Sequence, residues 1–258
     1  MGFLHEGHLS LVRRAKAECG SAAATIFVNP TQFGPHEDFG RYPRALPHDL
    51  ELLEAAGTDL VFVPDVSEIY PDGFDAKIEI GGVTKRLEGE LRPGHFAGVA
   101  TVVAKLINIT QPTKVYFGQK DAQQCLVVQK MVRDLNFPCQ VVVCPTVREA
   151  DGLAMSSRNA YLTPSQREHA GRLYRALEAA RVRYEGGERD AGTLRALVHQ
   201  ALASVPEATV EYVSVAHPES LEELDQVSAG AGALVLIAVR LGTTRLIDNI
   251  RLSSIGGA

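Results

Sequence analysis

Along the first half of the chain the hydrophobic pattern alternates between two periods. In HLSLVRRAKAECG, Leu9, Val12 and Ala15 share one helical face and Gly20 stands as a stop, so a short helix is predicted. ATIFV (24–28) is a β-branched apolar run that halts at Asn29-Pro30 and reads as a strand. Pro47 then opens a helix carrying Leu50, Leu53 and Ala56, with Gly57 closing it. LVFV (60–63), stopped by Pro64, reads as a second buried strand. FAGVATVVAKLINI places Val99, Val102, Val103, Leu106 and Ile107 at helical spacing. VYF, a helix from about Asp121 to Leu135, and QVVVC follow. Apolar strands separated by helices imply an α/β unit whose parallel sheet is covered on both faces. The segment 64–95 fits less well, and KIEIGG reads as an excursion on the rim.

The pattern changes after residue 158. Thr163-Pro164-Ser165-Gln166 combines a capping threonine, proline at the first helical position and glutamine three residues after the cap. A helix is predicted from there to about Tyr184, broken by Gly186-Gly187, with a second over 191–204. TVEYVSV, ALVLIAV and TRLIDNI read as strands, the last two joined across Leu241-Gly242-Thr243. Helices followed by antiparallel strands make a small C-terminal α+β domain. The expected division is 1–150 and 159–258, with 151–158 as a loop or hinge between them.

The bulk numbers narrow the class. A chain of 258 residues that is 45% hydrophobic and 22% charged is a globular protein able to bury a core. Net charge is −5 and no basic run is long enough for a nucleic-acid footprint, so anionic ligands would be met by local groups. No apolar run reaches membrane-spanning length, and the N-terminus lacks a signal-peptide pattern. Cys19, Cys125, Cys139 and Cys144 form no CxxC pair and read as structural thiols of a reducing cytosol.

In an open parallel sheet, ligands bind beyond the carboxyl ends of the strands. NPTQF after ATIFV, GQKDAQQ after VYF, and PTVREADGLAMSSRN after QVVVC all fall at such places, and HEGH opens a helix. His5 and His8 can be read as a metal pair, although HExxH spacing and a third ligand are missing. They can equally be exposed helix-start residues, or donors at a helix N-terminus that, with Gly2 and Gly7, suits phosphate. Lys120, in Gly118-Gln119-Lys120-Asp121, can meet a phosphate as a point charge, while Asp121 alone reads as a helix cap. Ser156, Ser157 and Arg158 concentrate two hydroxyls and a fixed cation. Gln32 and Gln124 can each orient a hydroxylated substrate without placing a charge beside it, or be structural.

Five blocks in order, MGFLHEGH (1–8), FVNPTQFGPHEDFGRYPR (27–44), LRPGHFAGVATVV (91–103), YFGQKDAQQ (116–124) and DGLAMSSRNAYLT (151–163), make the chain resemble the pantothenate synthetase (pantoate–β-alanine ligase) family. HEGH and MSSR alone resemble the HIGH and KMSKS motifs of the wider nucleotidylyltransferase superfamily. The resemblance implies a Rossmann-like parallel sheet with helices on both faces, its first strand missing from this chain, and a small C-terminal α+β domain. It implies a cytoplasmic homodimer that joins pantoate to β-alanine with ATP and Mg²⁺ through a pantoyl adenylate, releasing pyrophosphate and AMP.

By motif position, Met1, Gly2, Phe3, Leu4, His5, Glu6, Gly7 and His8 would line the ATP site, with His8 as proton donor or pyrophosphate stabiliser. Gly118, Gln119, Lys120 and Asp121 would hold the nucleotide, Val147 the adenine region, and Met155, Ser156, Ser157 and Arg158 the phosphates. His8, His5, Lys120, Ser156, Ser157 and Arg158 would carry the catalysis. Gln32 and Gln124 would bind pantoate, and Gln32 with Asn29 beside it would lie near β-alanine. Arg92 and His95 would edge the cavity, Tyr42 would belong to a mobile wall, and no protein side chain is assigned to Mg²⁺. The resemblance also implies a strand directly before Met1-Gly2, and the chain as written is expected to be poorly active or unstable without it. The alternatives are another nucleotidylyltransferase of the superfamily, a truncated non-catalytic domain and, more distantly, a zinc hydrolase.

Overall fold

The computed structural model describes residues 2–35, 37–228 and 230–253. The chain divides into two compact units, Met1–Val147 and Arg148–Ala258.

The first unit opens with α1 (Glu6–Cys19), which buries Leu9 and Val12 and ends at Gly20, whose φ of +76° suits a residue without a Cβ. After β1 (Ala23–Thr25), the chain makes a 3₁₀ turn at Pro30–Gln32 and enters α2 (Leu46–Ala55) with Pro47 in its first turn. Leu53 of α2 is fully buried among Leu4, Leu9 and Ile26, a burial that contributes about 1.5–3 kcal/mol. β2 (Leu60–Phe62) pairs in parallel with β1, and Ile26 N–H adds one bond to Phe62 O (2.9 Å). Both strands are shorter than predicted. Pro64 brings no N–H to extend the pairing, and Asn29 turns the other strand away. LVFV is not a buried strand: with a neighbour on one side only, Leu60 keeps 59% of its surface exposed.

The excursion 64–95 holds only short helices, α3 (Val66–Ile69) and α4 (Glu88–Leu91), and KIEIGG forms no strand. α5 (His95–Thr110), β3 (Lys114–Gly118), α6 (Ala122–Asp134) and β4 (Gln140–Cys144) complete the unit. β3 and β4 are parallel, in register from Lys114 opposite Gln140 to Gly118 opposite Cys144. Among the described residues the parallel strands pair as β1–β2 and β3–β4, the parallel strands and interleaved helices of the expected α/β unit. α6 packs on α5 and on the β3–β4 pair, burying Val127, Val128 and Met131. α1 packs on β3, and α5 packs on the Pro30–Gln32 turn; these two contacts position the site.

In the second unit the Thr163 cap accepts from Gln166 N and Gln166 bonds back, as the sequence predicts. The long helix predicted behind it is instead two, α7 (Pro164–Ala170) and α8 (Arg172–Glu185). The break falls at Gly171, where an added Cβ would stand 2.8 Å from the carbonyl and carboxylate of Asp151. α9 (Ala191–Ala203) is capped by Asp190, and β5 (Ala208–Ala216), β6 (Ala233–Leu241) and β7 (Thr244–Leu252) form an antiparallel sheet in that order. Gly242, at φ +58°, turns the β6–β7 hairpin. Alternate residues of β6 and β7 pack against Leu173, Leu177, Leu194 and Val198 to form this unit's core. No helix among the described residues is long and apolar enough to cross a membrane. Cys125 and Cys144 are buried and all four cysteines are free.

Candidate active site

His5 is the N-cap of α1, and its imidazole lies against that of His8, ring centroids 4.0 Å apart at 33°. The backbone N–H of His5 donates to Nδ1 of His8 (3.4 Å), which puts the proton of a neutral His8 on Nε2. Among the described residues the buried Nδ1 of His5 has no partner. Burial, followed by the charge of Lys120, pulls His5 down to about 4, with Asp121 opposing. Burial, His5 and Lys120 likewise hold His8 well below its ordinary value. Both rings are therefore neutral near pH 7 and present N–H donors rather than cations.

Lys120 arrives from the 3₁₀ turn Gln119–Asp121 that joins β3 to α6, its ammonium 3.7 Å from the Asp121 carboxylate. Asp121 occupies the cap position of α6 but makes no side-chain cap bond, so the plain capping role is not what holds it there. Gly118, Gln119 and Gln124 are half-buried on the same turn and the first turn of α6, and Val147 is half-buried after β4. Gly2 and Leu4 are buried, Phe3, His5, Gly7 and His8 half-buried, and Glu6 exposed in an ion pair with Arg13; Met1 lies outside the described residues. No group of three or more His, Cys, Asp or Glu among the described residues is placed to hold a metal ion, so His5 and His8 gain no third ligand.

A second cluster forms around the NPTQ turn. Buried Asn29 donates to Gln32 Oε1 (3.1 Å) and to Gly98 O (3.2 Å), and its Oδ1 accepts from the hydroxyls of Tyr70 (2.7 Å) and Thr31 (2.9 Å). With its side-chain carbonyl engaged by Asn29, Gln32 keeps its NH₂ group as a donor, which suits an acceptor-rich hydroxy acid. His95 and Arg92 brace this turn. His95 Nδ1–H donates to Gln32 O (2.8 Å), and Nε2 accepts from Arg92 (3.0 Å). Arg92 forks onto Glu37 with two 2.6 Å bonds. In the wall that follows, Tyr42 and Phe39 both pack on Phe33.

Burial, then the facing Arg92, pulls His95 down to about 4. Since the unfolded chain binds this proton near 6.5 and the folded one only near 4, the neutral ring's contribution is complete above pH 6.5 and is lost as pH falls toward 4. The unfolding free energy from urea titrations should therefore fall more steeply between pH 6 and 5 in the wild type than in His95→Gln, by up to about 1.4 kcal/mol per pH unit, since His5 and His8 titrate alike in both proteins. An equal slope in the two proteins would show that folding does not lower the proton affinity of His95.

In the second unit, Ser156 caps the 3₁₀ helix Ser157–Tyr161 by accepting from Arg158 N (3.3 Å), and Ser157 is buried. Met155 and Arg158 are half-buried. The loop before them is held by the pairing of Arg148 with Ala154, by Asp151 accepting from Leu153 N, and by Asn159 donating to Ala154 O. Gly152, at φ +96°, leaves room for Tyr174, whose ring an added Cβ would meet at 2.5 Å.

The structure thus groups His5, His8, Lys120 and Asp121, and separately Asn29, Gln32, Arg92 and His95, within the first unit. Tyr70, which bonds Asn29, lies in none of the quoted motifs, and Glu37, which holds Arg92, lies within the block 27–44 without being singled out there. A lone acid or tyrosine gives no signal until its distant partner is known.

The family model described as pantoate-beta-alanine ligase matches residues 1–251. A pantothenate synthetase of Chloroflexus aggregans is 62% identical over 249 residues, covering 96% of this chain and 90% of that protein. One from Herpetosiphon aurantiacus is also 62% identical, over 97% of this chain and 90% of its own length. The crystal structure of the Thermus thermophilus enzyme superposes with a TM-score of 0.94 at 50% identity, covering 98% of this chain and 91% of the other. The Francisella tularensis ligase, solved with beta-gamma ATP and β-alanine, superposes with a TM-score of 0.78 at 35% identity, over 97% and 87% of the two chains. The chain spans about nine tenths of the length of these two relatives. The chain belongs to the pantoate–β-alanine ligase family.

Proposed function

We propose that this chain joins pantoate to β-alanine by way of a pantoyl adenylate, with Mg·ATP as the activating substrate. The observation that carries the reading is the pair of neutral imidazoles at the start of α1, both within the field of Lys120. A carboxylate oxygen of pantoate attacks the α-phosphorus; the C(O)–O–P bond forms and the bond to the β-phosphate breaks, its electrons leaving with pyrophosphate. Charge grows on the departing oxygens, where Lys120 supplies a cation and the imidazoles N–H donors that cost no reorganisation. The amine of β-alanine then attacks the acyl carbon, the C–O bond breaks with AMP as leaving group, and the amine loses a proton.

Gln32 and Gln124 would orient pantoate, and Gln32, braced by Asn29 beside it, would lie near β-alanine. Gly2 to His8, Gly118 to Asp121 and Val147 would hold the nucleotide, and Met155 to Arg158 its phosphates. The imidazole, ammonium and hydroxyl groups suit phosphate oxygens rather than a hard cation, so Mg²⁺ would arrive ligated by ATP itself. A cytoplasmic homodimer completes the reading, supported by the family resemblance.

The test is isotopic. With carboxylate-¹⁸O-labelled pantoate, one label should pass to AMP, and AMP should form in equal amount to pantothenate only when both cosubstrates are present. Nucleotide retained on the product would instead mark the chain as another nucleotidylyltransferase.

A further inference from the structure

The loop that delivers His5 and His8 is held by a residue distant in sequence. Its backbone is seized by Asp49, in the first turn of α2 and 45 or more residues away along the chain. Asp49 is only 1% exposed. Its Oδ2 accepts from Phe3 N–H (2.8 Å) and its Oδ1 from Leu4 N–H (2.6 Å). Two consecutive amides on the two oxygens of one carboxylate fix both the position and the orientation of that peptide segment. The segment needs fixing, because Phe3 sits at φ +53°, a left-handed conformation that a residue with a Cβ adopts only when its surroundings impose it. Immediately after it, His5 takes extended dihedrals as the N-cap and α1 begins. Leu4 packs in the same apolar cluster as Leu53, one helical turn beyond Asp49.

We infer that Asp49 is a positioning residue for the reaction: through its paired bonds to Phe3 and Leu4 it sets where the imidazoles of His5 and His8 stand. The inference rests on the reading that these imidazoles act on the phosphates of ATP. An asparagine of the same shape can accept only one of the two N–H groups and turns a donor toward the other, so the loop swings while the helix keeps its sequence pattern. A glutamate keeps the charge but carries the oxygens one methylene too far.

The test is a double-mutant cycle on the full chain, Asp49→Asn and His8→Ala singly and together, with kcat and KM for ATP and pantoate measured on each. Asp49→Asn should lower kcat by about 10–100-fold, as a misplaced catalytic group does, with KM for pantoate unchanged. On the His8→Ala background the same substitution should cost almost nothing further. Imidazole ¹⁵N shifts of His5 and His8 should move in Asp49→Asn while that of His95 stays. If His8→Ala leaves kcat intact, the reading of the histidines fails; if it does not, yet the two losses multiply independently, Asp49 is structural only and the inference is overturned. Should Asp49→Asn fail to fold, Asp49→Glu replaces it in the same cycle with the same two outcomes.

Discussion

Replacing Lys120 by alanine should lower the rate of pantothenate formation by about 10²–10³-fold, the loss typical of removing one preorganised group from developing charge. The size follows from the company Lys120 keeps. The imidazoles near it are neutral, because burial and Lys120 itself hold both below their ordinary values. Within the group His5, His8, Lys120 and Asp121, Lys120 is therefore the cationic member, and donors alone cannot offset the approach of a carboxylate to a polyphosphate. Arginine should not restore the rate, since a forked guanidinium cannot occupy the place of a compact ammonium. The substitution has a second readout that owes nothing to turnover. With this like charge removed, His5 should take up its proton at higher pH than about 4, because the nearby ammonium disfavours the imidazolium. An NMR titration that left His5 unmoved, together with an unchanged rate, would remove Lys120 from the site.

Gly98→Ala is the other large effect. Gly98 lies in the first turns of α5, where the helix touches the NPTQ turn, and a Cβ there would stand 2.4 Å from Thr31 O and 2.9 Å from the Cα of Gln32. These are backbone atoms, so no side-chain rotation relieves the clash. Overpacking of this kind costs about 1–3 kcal/mol, and it does so where Asn29 grips both Gly98 O and Gln32 Oε1. The turn must shift, and a displacement near 1 Å of a substrate-orienting group lowers kcat/KM for pantoate by roughly 10²-fold. The KM for ATP should change far less, because His5, His8 and Lys120 sit on other elements. Wild-type kcat/KM for pantoate in this variant would show that Gln32 does not orient that substrate.

Most of the helices were legible because their periodicity, caps and stops are local. Glycine at 20 and 57, the threonine box at 163 and the diglycine at 186 each act within one turn of the residues they punctuate. The antiparallel strands of the second unit were legible for the same reason, since hydrophobic runs joined by a short Gly-containing turn define a hairpin. The parallel strands were legible as apolar runs, but not in their extent or exposure. Their partners lie far along the chain, and although Pro64 marks where β2 must stop, no local signal says that Leu60 stands open to solvent.

By itself, then, the sequence determined the order and type of most elements, the polar clusters at strand ends and the family whose motifs they spell. It did not determine which of those residues share a cluster, nor their protonation. That His5 and His8 are neutral is decided by burial and by Lys120, more than a hundred residues away. That Asp49 clamps Phe3 and Leu4, that Glu37 holds Arg92 and that Gly98 must lack a side chain are matters of approach between distant segments. The physical reason is range. Helix caps, turns and periodicity act over a few residues of chain, whereas desolvation, Coulomb fields and steric contact act over a few ångströms of space, and only the folded backbone converts one distance into the other.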